Sequence, residues 1–238
     1  MKLLQAEMKG WDREAGVALV YAALATVAFA YQGHPDFFYE NFGGYAWVAA
    51  RPDFACEAYR FGFSFVFFFL VPAILVRAVF RKSLADYGLT LGDWKFGLAF
   101  VALSAVALPL PLWLSAGSPD FLQAYPLWRG AGTSAAAFTL WIFLYLFYYI
   151  GWEFLFRGFM QFSLVGRMAP FLIIMMQTLP STIIHIGKPE GETAAAIVGG
   201  IVFGAVALRT RSILYPLLVH WYLGILTELF TILRSGAA

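Results

Sequence analysis

Charge is scarce in this sequence, and so is cysteine. Only 13% of the 238 residues are Asp, Glu, Lys or Arg, against about 25% in an ordinary soluble domain. A soluble chain of this size must give most of its helices a polar face, and few segments here could supply one. The formal net charge of +2 is too small to indicate nucleic acid, and no basic stretch is interleaved with stacking aromatics. The single cysteine, Cys56, excludes an intrachain disulfide and any cysteine-based metal cluster. Two catalytic signatures are missing as well: H-E-x-x-H of the zinc proteases and the G-x-S-x-G elbow of serine hydrolases. No internal repeat, linker or low-complexity segment interrupts the chain, which reads as one transmembrane domain spanning 1–238.

What is present is apolar length. Hydrophobic residues make up 61% of the chain and fall into seven blocks, roughly 15–31, 59–80, 95–116, 134–153, 169–186, 193–208 and 212–233. Each approaches the ~20 residues that cross about 30 Å of hydrocarbon. An all-α, polytopic transmembrane bundle of seven spans is therefore expected, or eight if the fourth block breaks before about Val165. The charged start (Lys2, Glu7, Lys9, Asp12, Arg13, Glu14) runs into the first block without an A-x-A site, which predicts a retained first span. The sixth block carries Gly199, Gly200 and Gly204 among alanines, and small residues at helical spacing place it inside the bundle. Arg77, Arg81, Lys82, Lys95, Arg167, Arg209 and Arg211 crowd alternate turns, so the N-terminus and these turns are expected in the cytoplasm. The aromatic-rich loop 32–58 then lies outside, as an interfacial belt, and the protein is a multi-pass protein of the cell membrane surrounded by lipid.

Ionisable residues inside apolar spans each cost roughly 2.5–3.5 kcal/mol on insertion scales, so they persist for a reason. Four stand out: Glu153, Arg157, His185 and His220. Glu153 and Arg157 are four apart and share a helical face, where they can neutralise each other. A lone membrane histidine is more often a satisfied core residue than a catalyst. Depth unites them, however. At 1.5 Å per residue Glu153 stands about 20 Å above a turn near Gly166, His185 about 24 Å above Ala169, and His220 about 13 Å above Arg211. A carboxylate and two imidazoles at similar depth suit a polar site where desolvation favours proton transfer from water. One Glu and two His are also a zinc donor set, although the histidines lie on different helices. No cofactor is expected, with a metal ion left open.

Three motifs in this order resemble the CAAX-protease and bacteriocin-processing (Abi) family of intramembrane glutamic proteases. W-E-F-L-F-R-G (Trp152 to Gly158) is similar to the family's E-E-x-x-x-R, S-T-I-I-H (Ser181 to His185) to F-x-x-x-H, and H-W-Y-L-G (His220 to Gly224) to H-x-x-x-N. The resemblance covers about 134–233. It departs from the pattern at Trp152, which stands where the family has the first Glu, at Ser181 and at Gly224. HIGKPEGE, from His185 to Glu192, fits an H-x-x-K-P-x-x-E variant of the second motif.

The resemblance implies an endopeptidase acting on a membrane-embedded or lipid-anchored protein or peptide. Glu153 with His185 would activate water, His220 would hold the oxyanion and Arg157 would fix Glu153. Glu192 is expected to cap the sixth span, with a catalytic role as the alternative, and Lys188 to neutralise nearby carboxylates or snorkel. Glu228 is expected at the outer interface beside Arg234, with a place lining the same cavity as the alternative. Two rival functions follow from the same residues. One is a proteolytically silent homologue serving as an immunity or scaffold protein; the other, a small transporter, would favour inverted repeats that the sequence lacks.

Overall fold

The computed structural model describes residues 12–236, so Lys2, Glu7 and Lys9 of the charged start lie outside the described residues. Among the described residues the chain is helical and contains no sheet. In chain order the helices are α1 (Arg13–Tyr31), α2 (Pro35–Phe42), α3 (Ala46–Ala50), α4 (Pro52–Val79), α5 (Trp94–Ala107), α6 (Pro109–Ser115), α7 (Pro119–Ala124), α8 (Ala135–Ser163), α9 (Pro170–Ile183), α10 (Glu190–Thr210) and α11 (Leu214–Arg234). Five of them, α1, α4, α8, α10 and α11, are long and apolar enough to cross a membrane.

Every apolar block is helical, but the span count comes out lower than seven or eight. The third block breaks into α5 and α6, bent by 41°, and the pair makes a sixth span if counted as one. Pro109 explains the break, because it lacks an N–H and its ring clashes with the carbonyl four residues back. The fifth block yields only the 14-residue α9, too short to traverse about 30 Å by itself. The fourth block does not split: α8 continues for 29 residues, with a π-helical stretch at Phe154–Met160.

That helix is the axis of the fold. Gly151 through Leu164 are all buried, as expected of a helix apolar on every side. Phe154, Leu155, Phe156 and Phe159 are fully enclosed, packed with Phe29 of α1 and Phe68 of α4. Gly151 is required here: a Cβ would collide with the Ser64 carbonyl and hydroxyl of α4. Ser64 uses that closeness to donate to the Tyr148 carbonyl at 3.0 Å.

The small-residue helix α10 sits at the edge of the bundle rather than inside it. Its Gly200, Phe203, Gly204 and Ala207 face is buried, while Ile197 and Val198 remain 46% and 64% exposed. The glycines do allow close approach: Gln161 Nε2 donates to the Gly204 carbonyl at 3.0 Å and Gln177 Nε2 to the Gly200 carbonyl at 2.8 Å. Side-chain amides meeting bare backbone replace the hydrophobic drive that lipid removes.

The basic turns gather at one end. Arg167 bonds Asp12 at 2.6 Å and Glu14 at 3.2 Å, Lys82 meets Glu14 at 2.7 Å, and Arg209 meets Asp93 at 2.8 Å. The hydrogen bond from Arg167 holds the Asp12 carboxyl below its ordinary value. If this end is cytoplasmic, a single cysteine at Ala85 escapes an impermeant maleimide in intact cells, while one at the exposed Asp36 is labelled. A background with the buried Cys56 replaced by Ala reads this cleanly, and the opposite labelling pattern inverts the topology.

Candidate active site

Three helices deliver the ionisable residues to one region. From the enclosed stretch of α8, Glu153 is 0% and Arg157 3% exposed. Arg157 Nη1 donates to Glu153 Oε1 at 3.2 Å. The same oxygen lies 2.6 Å from Nδ1 of His220, brought alongside by α11. A carboxylate only accepts, so Nδ1 donates, and in the neutral tautomer that makes this bond the lone pair sits on Nε2. The imidazole is clasped between Tyr149 and Phe203, with ring centroids at 4.6 and 5.5 Å. Arg157 lies over the same Phe203 ring at 5.8 Å.

His185 follows the last turn of α9. Its Nδ1 is 2.6 Å from the Ser181 carbonyl, which fixes the same tautomer, with Nε2 as the lone-pair nitrogen. The ring packs edge-on against Trp152 at 5.2 Å between centroids. Glu153 therefore touches His220 directly, while His185 meets Trp152. The pairing differs from the expected Glu153–His185 contact because α11 runs against the face of α8 that carries Glu153, whereas His185 lies beyond the helical end of α9.

Both histidines and Arg157 line a single cavity of about 600 Å³, with Trp152, Tyr149 and Lys188 in the same wall. Glu153 is not part of the wall; it reaches the cavity through His220. The donors needed for a metal do not converge: among the described residues no three His, Cys, Asp or Glu side chains are grouped as a ligand set.

Lys188 and Glu192 close one side of the cavity together with Tyr125, which lines it from the segment between α7 and α8. Lys188 Nζ donates to the Tyr125 hydroxyl at 2.7 Å, and that hydroxyl donates to Glu192 at 2.9 Å. Glu192 stands in the first turn of α10, as expected of an acidic residue there, but makes no N-cap hydrogen bond. The helix starts at Glu190, three residues before the expected Thr193, and Pro189 gives its N-cap position no side-chain acceptor. The Glu192 carboxylate is turned to Tyr125 instead.

Glu228 also departs from its expected place at the interface beside Arg234. It is 0% exposed, accepting from the Leu127 N–H at 3.1 Å and from Trp141 Nε1 at 3.0 Å. Arg234 lies instead over the Trp113 ring at 5.2 Å. Glu228 thus pins the segment that carries Tyr125. Glu228→Ala leaves a buried N–H and an indole N–H without partners, at about 1–3 kcal/mol each. The expected result is faster limited proteolysis between α7 and α8, with Glu228→Gln milder; unchanged cleavage there refutes the pin.

Sequence reading missed Glu57 and Arg60. Arg60 Nη1 holds both Glu57 oxygens at 2.8 Å, and Arg60 lines the cavity. Arg60 falls inside the apolar block 59–80, but Glu57 falls before it, so hydropathy does not show the pair. Pro52 at the first position of α4 was the available signal, since proline suits a helix start.

Residues 134–226 match the family model described as type II CAAX prenyl endopeptidase Rce1-like. The matched segment spans α8, α9, α10 and most of α11, and so contains Glu153, Arg157, His185 and His220. No curated protein and no solved structure matches the chain. The match covers under half of the chain and says what these helices are similar to, and the long apolar helices of the chain are those of a multi-pass membrane protein.

Proposed function

We propose that this protein is an intramembrane endopeptidase in which His220, oriented by Glu153, activates water against a peptide bond held in the cavity. The observation that carries this reading is the buried Glu153–His220 contact, with His220 in the wall of a cavity shared with His185. Nε2 of His220 takes a proton from water, and the water oxygen bonds to the scissile carbonyl carbon. The carbonyl π pair moves to oxygen, where the Arg157 guanidinium in the same wall supplies positive charge. Collapse of the tetrahedral adduct breaks the C–N bond, and His220 returns its proton to the departing amine. Glu153 stabilises the imidazolium formed in between. His185, with its own Nε2 lone pair, orients the water from the opposite side. Lys188 and Glu192 border the path by which a membrane-embedded or lipid-anchored substrate in the cell membrane reaches these groups. The scheme draws only on side chains of this protein and uses no cofactor.

A silent immunity or scaffold homologue is the second reading, favoured by Trp152, an indole packed against His185 where the resembled family places a carboxylate. The two readings separate on purified protein in lipid nanodiscs, given a quenched fluorescent peptide with an apolar membrane segment. Product masses that show a single hydrolysed bond, absent when His220 is Ala, support the protease. Intact peptide throughout, with full complementation in cells by the His220→Ala variant, supports the silent homologue.

A further inference from the structure

The cavity has a corner that the proposed hydrolysis does not use. Arg60 enters it from α4, beside Phe29, Tyr148 and Trp152. Its guanidinium lies over the Phe29 ring at 5.8 Å, and Phe29 in turn meets Trp152 at 6.3 Å between centroids. Trp152 then contacts His185, so the guanidinium is linked to the proposed catalytic groups through the rings of Phe29 and Trp152.

The guanidinium is only partly used. Nη1 alone serves both oxygens of Glu57, and Glu57 is not in the cavity wall. Nε is buried with no partner, and no acceptor among the described residues meets Nη2. An arginine presents five donors in a planar fork that matches a carboxylate in two parallel hydrogen bonds. Leaving that edge unpaired in a low-dielectric corner is costly, and a bound carboxylate would remove the cost. The aromatic walls lower the local dielectric and strengthen such a contact.

We infer that Arg60 is the anchor of a substrate subsite for a carboxylate, separated from His185 by the rings of Phe29 and Trp152. It rests on the proposed peptidase reading for the word substrate, but the binding itself is independent of cleavage. The carboxylate has two chemical sources, a free C-terminus or an acidic side chain, and both offer the same planar pair of oxygens.

Three versions of one fluorescent membrane peptide distinguish them: a free C-terminal acid, its C-terminal amide, and the amide with one Glu placed near that end. Binding to the full-length protein in nanodiscs is read by anisotropy, and cleavage is followed separately. The expected result is at least about tenfold tighter binding of one or both carboxylate peptides than of the plain amide, the scale of one charge-assisted pair. The preference disappears in Arg60→Gln and falls in Arg60→Lys, which keeps charge but loses the fork. Because Arg60→Gln leaves Glu57 buried without its partner, the double variant Glu57→Gln/Arg60→Gln controls for folding and must also lose the preference. Equal binding of all three peptides by the unaltered protein overturns the subsite, as does a preference that survives the double variant. Carboxylate-selective binding without cleavage of any peptide leaves the subsite standing and removes the peptidase reading.

Discussion

Glu153→Gln lowers turnover of a membrane peptide by at least about a hundredfold, while the protein still inserts, purifies and stays monodisperse. The physical reason lies in one oxygen. Glu153 Oε1 meets both Arg157 Nη1 and His220 Nδ1, so it neutralises a cation and sets an imidazole tautomer at once. An amide keeps the shape but offers no negative charge to the imidazolium that forms as water loses its proton. It can also present an N–H to Nδ1, which moves the ring proton to Nε2 and removes the base, an exchange worth on the order of a hundred- to ten-thousandfold in carboxylate–histidine systems. His220→Ala produces a loss of the same size. The decisive measurement is the double variant. Groups that act as a unit are strongly non-additive, so Glu153→Gln/His220→Ala falls no further than either single change. Multiplying losses would show that the two act separately, and His185 would then regain the role of partner to Glu153.

How far the sequence discloses this site follows from what each residue's signal consists of. Glu153, Arg157, His185 and His220 are legible because a polar group in an apolar run is anomalous wherever the helix points. Their partners are not, since contact depends on how helices cross, and periodicity along one helix carries no information about crossing. Hence the cavity's two histidines were expected together, yet which of them takes Glu153 emerges only from the placement of α11 against α8. Glu57 escaped for a different reason: it sits ahead of the apolar block at 59–80, and without its partner Arg60 reads only as a cation at the end of a span. Glu228 misled because two roles fit an acidic residue near a helix end, and only the Leu127 N–H and Trp141 indole distinguish them. The bend at Pro109 and the short α9 show the limit on counting spans. Hydropathy marks where apolar residues lie, while helix length and direction decide whether they cross.

Arg157→Ala is expected to damage the fold as well as the activity, and more than Glu153→Gln does, because the glutamine amide oxygen still accepts from the Arg157 guanidinium. The guanidinium is 3% exposed and its carboxylate partner 0%, so deleting it strands Glu153 with an imidazole alone. Removing one member of a buried pair costs about 3–5 kcal/mol, because the remaining charge stays desolvated. The Phe203 ring also loses the cation above it, a smaller contribution of about 0.5–2 kcal/mol. For a chain of this length each kcal/mol moves the unfolding midpoint by about 2–4 °C, so a drop of roughly 10 °C in detergent is expected. The origin of that loss is testable by taking away the stranded charge. In Glu153→Gln/Arg157→Ala no carboxylate is left unpaired, so most of the midpoint returns while turnover stays at the level of Glu153→Gln. A double variant as unstable as Arg157→Ala alone would place the damage in lost packing around Phe203. An Arg157→Ala protein with the original midpoint would show that Glu153 is not held as a buried ion, and the tautomer argument for His220 would fail with it.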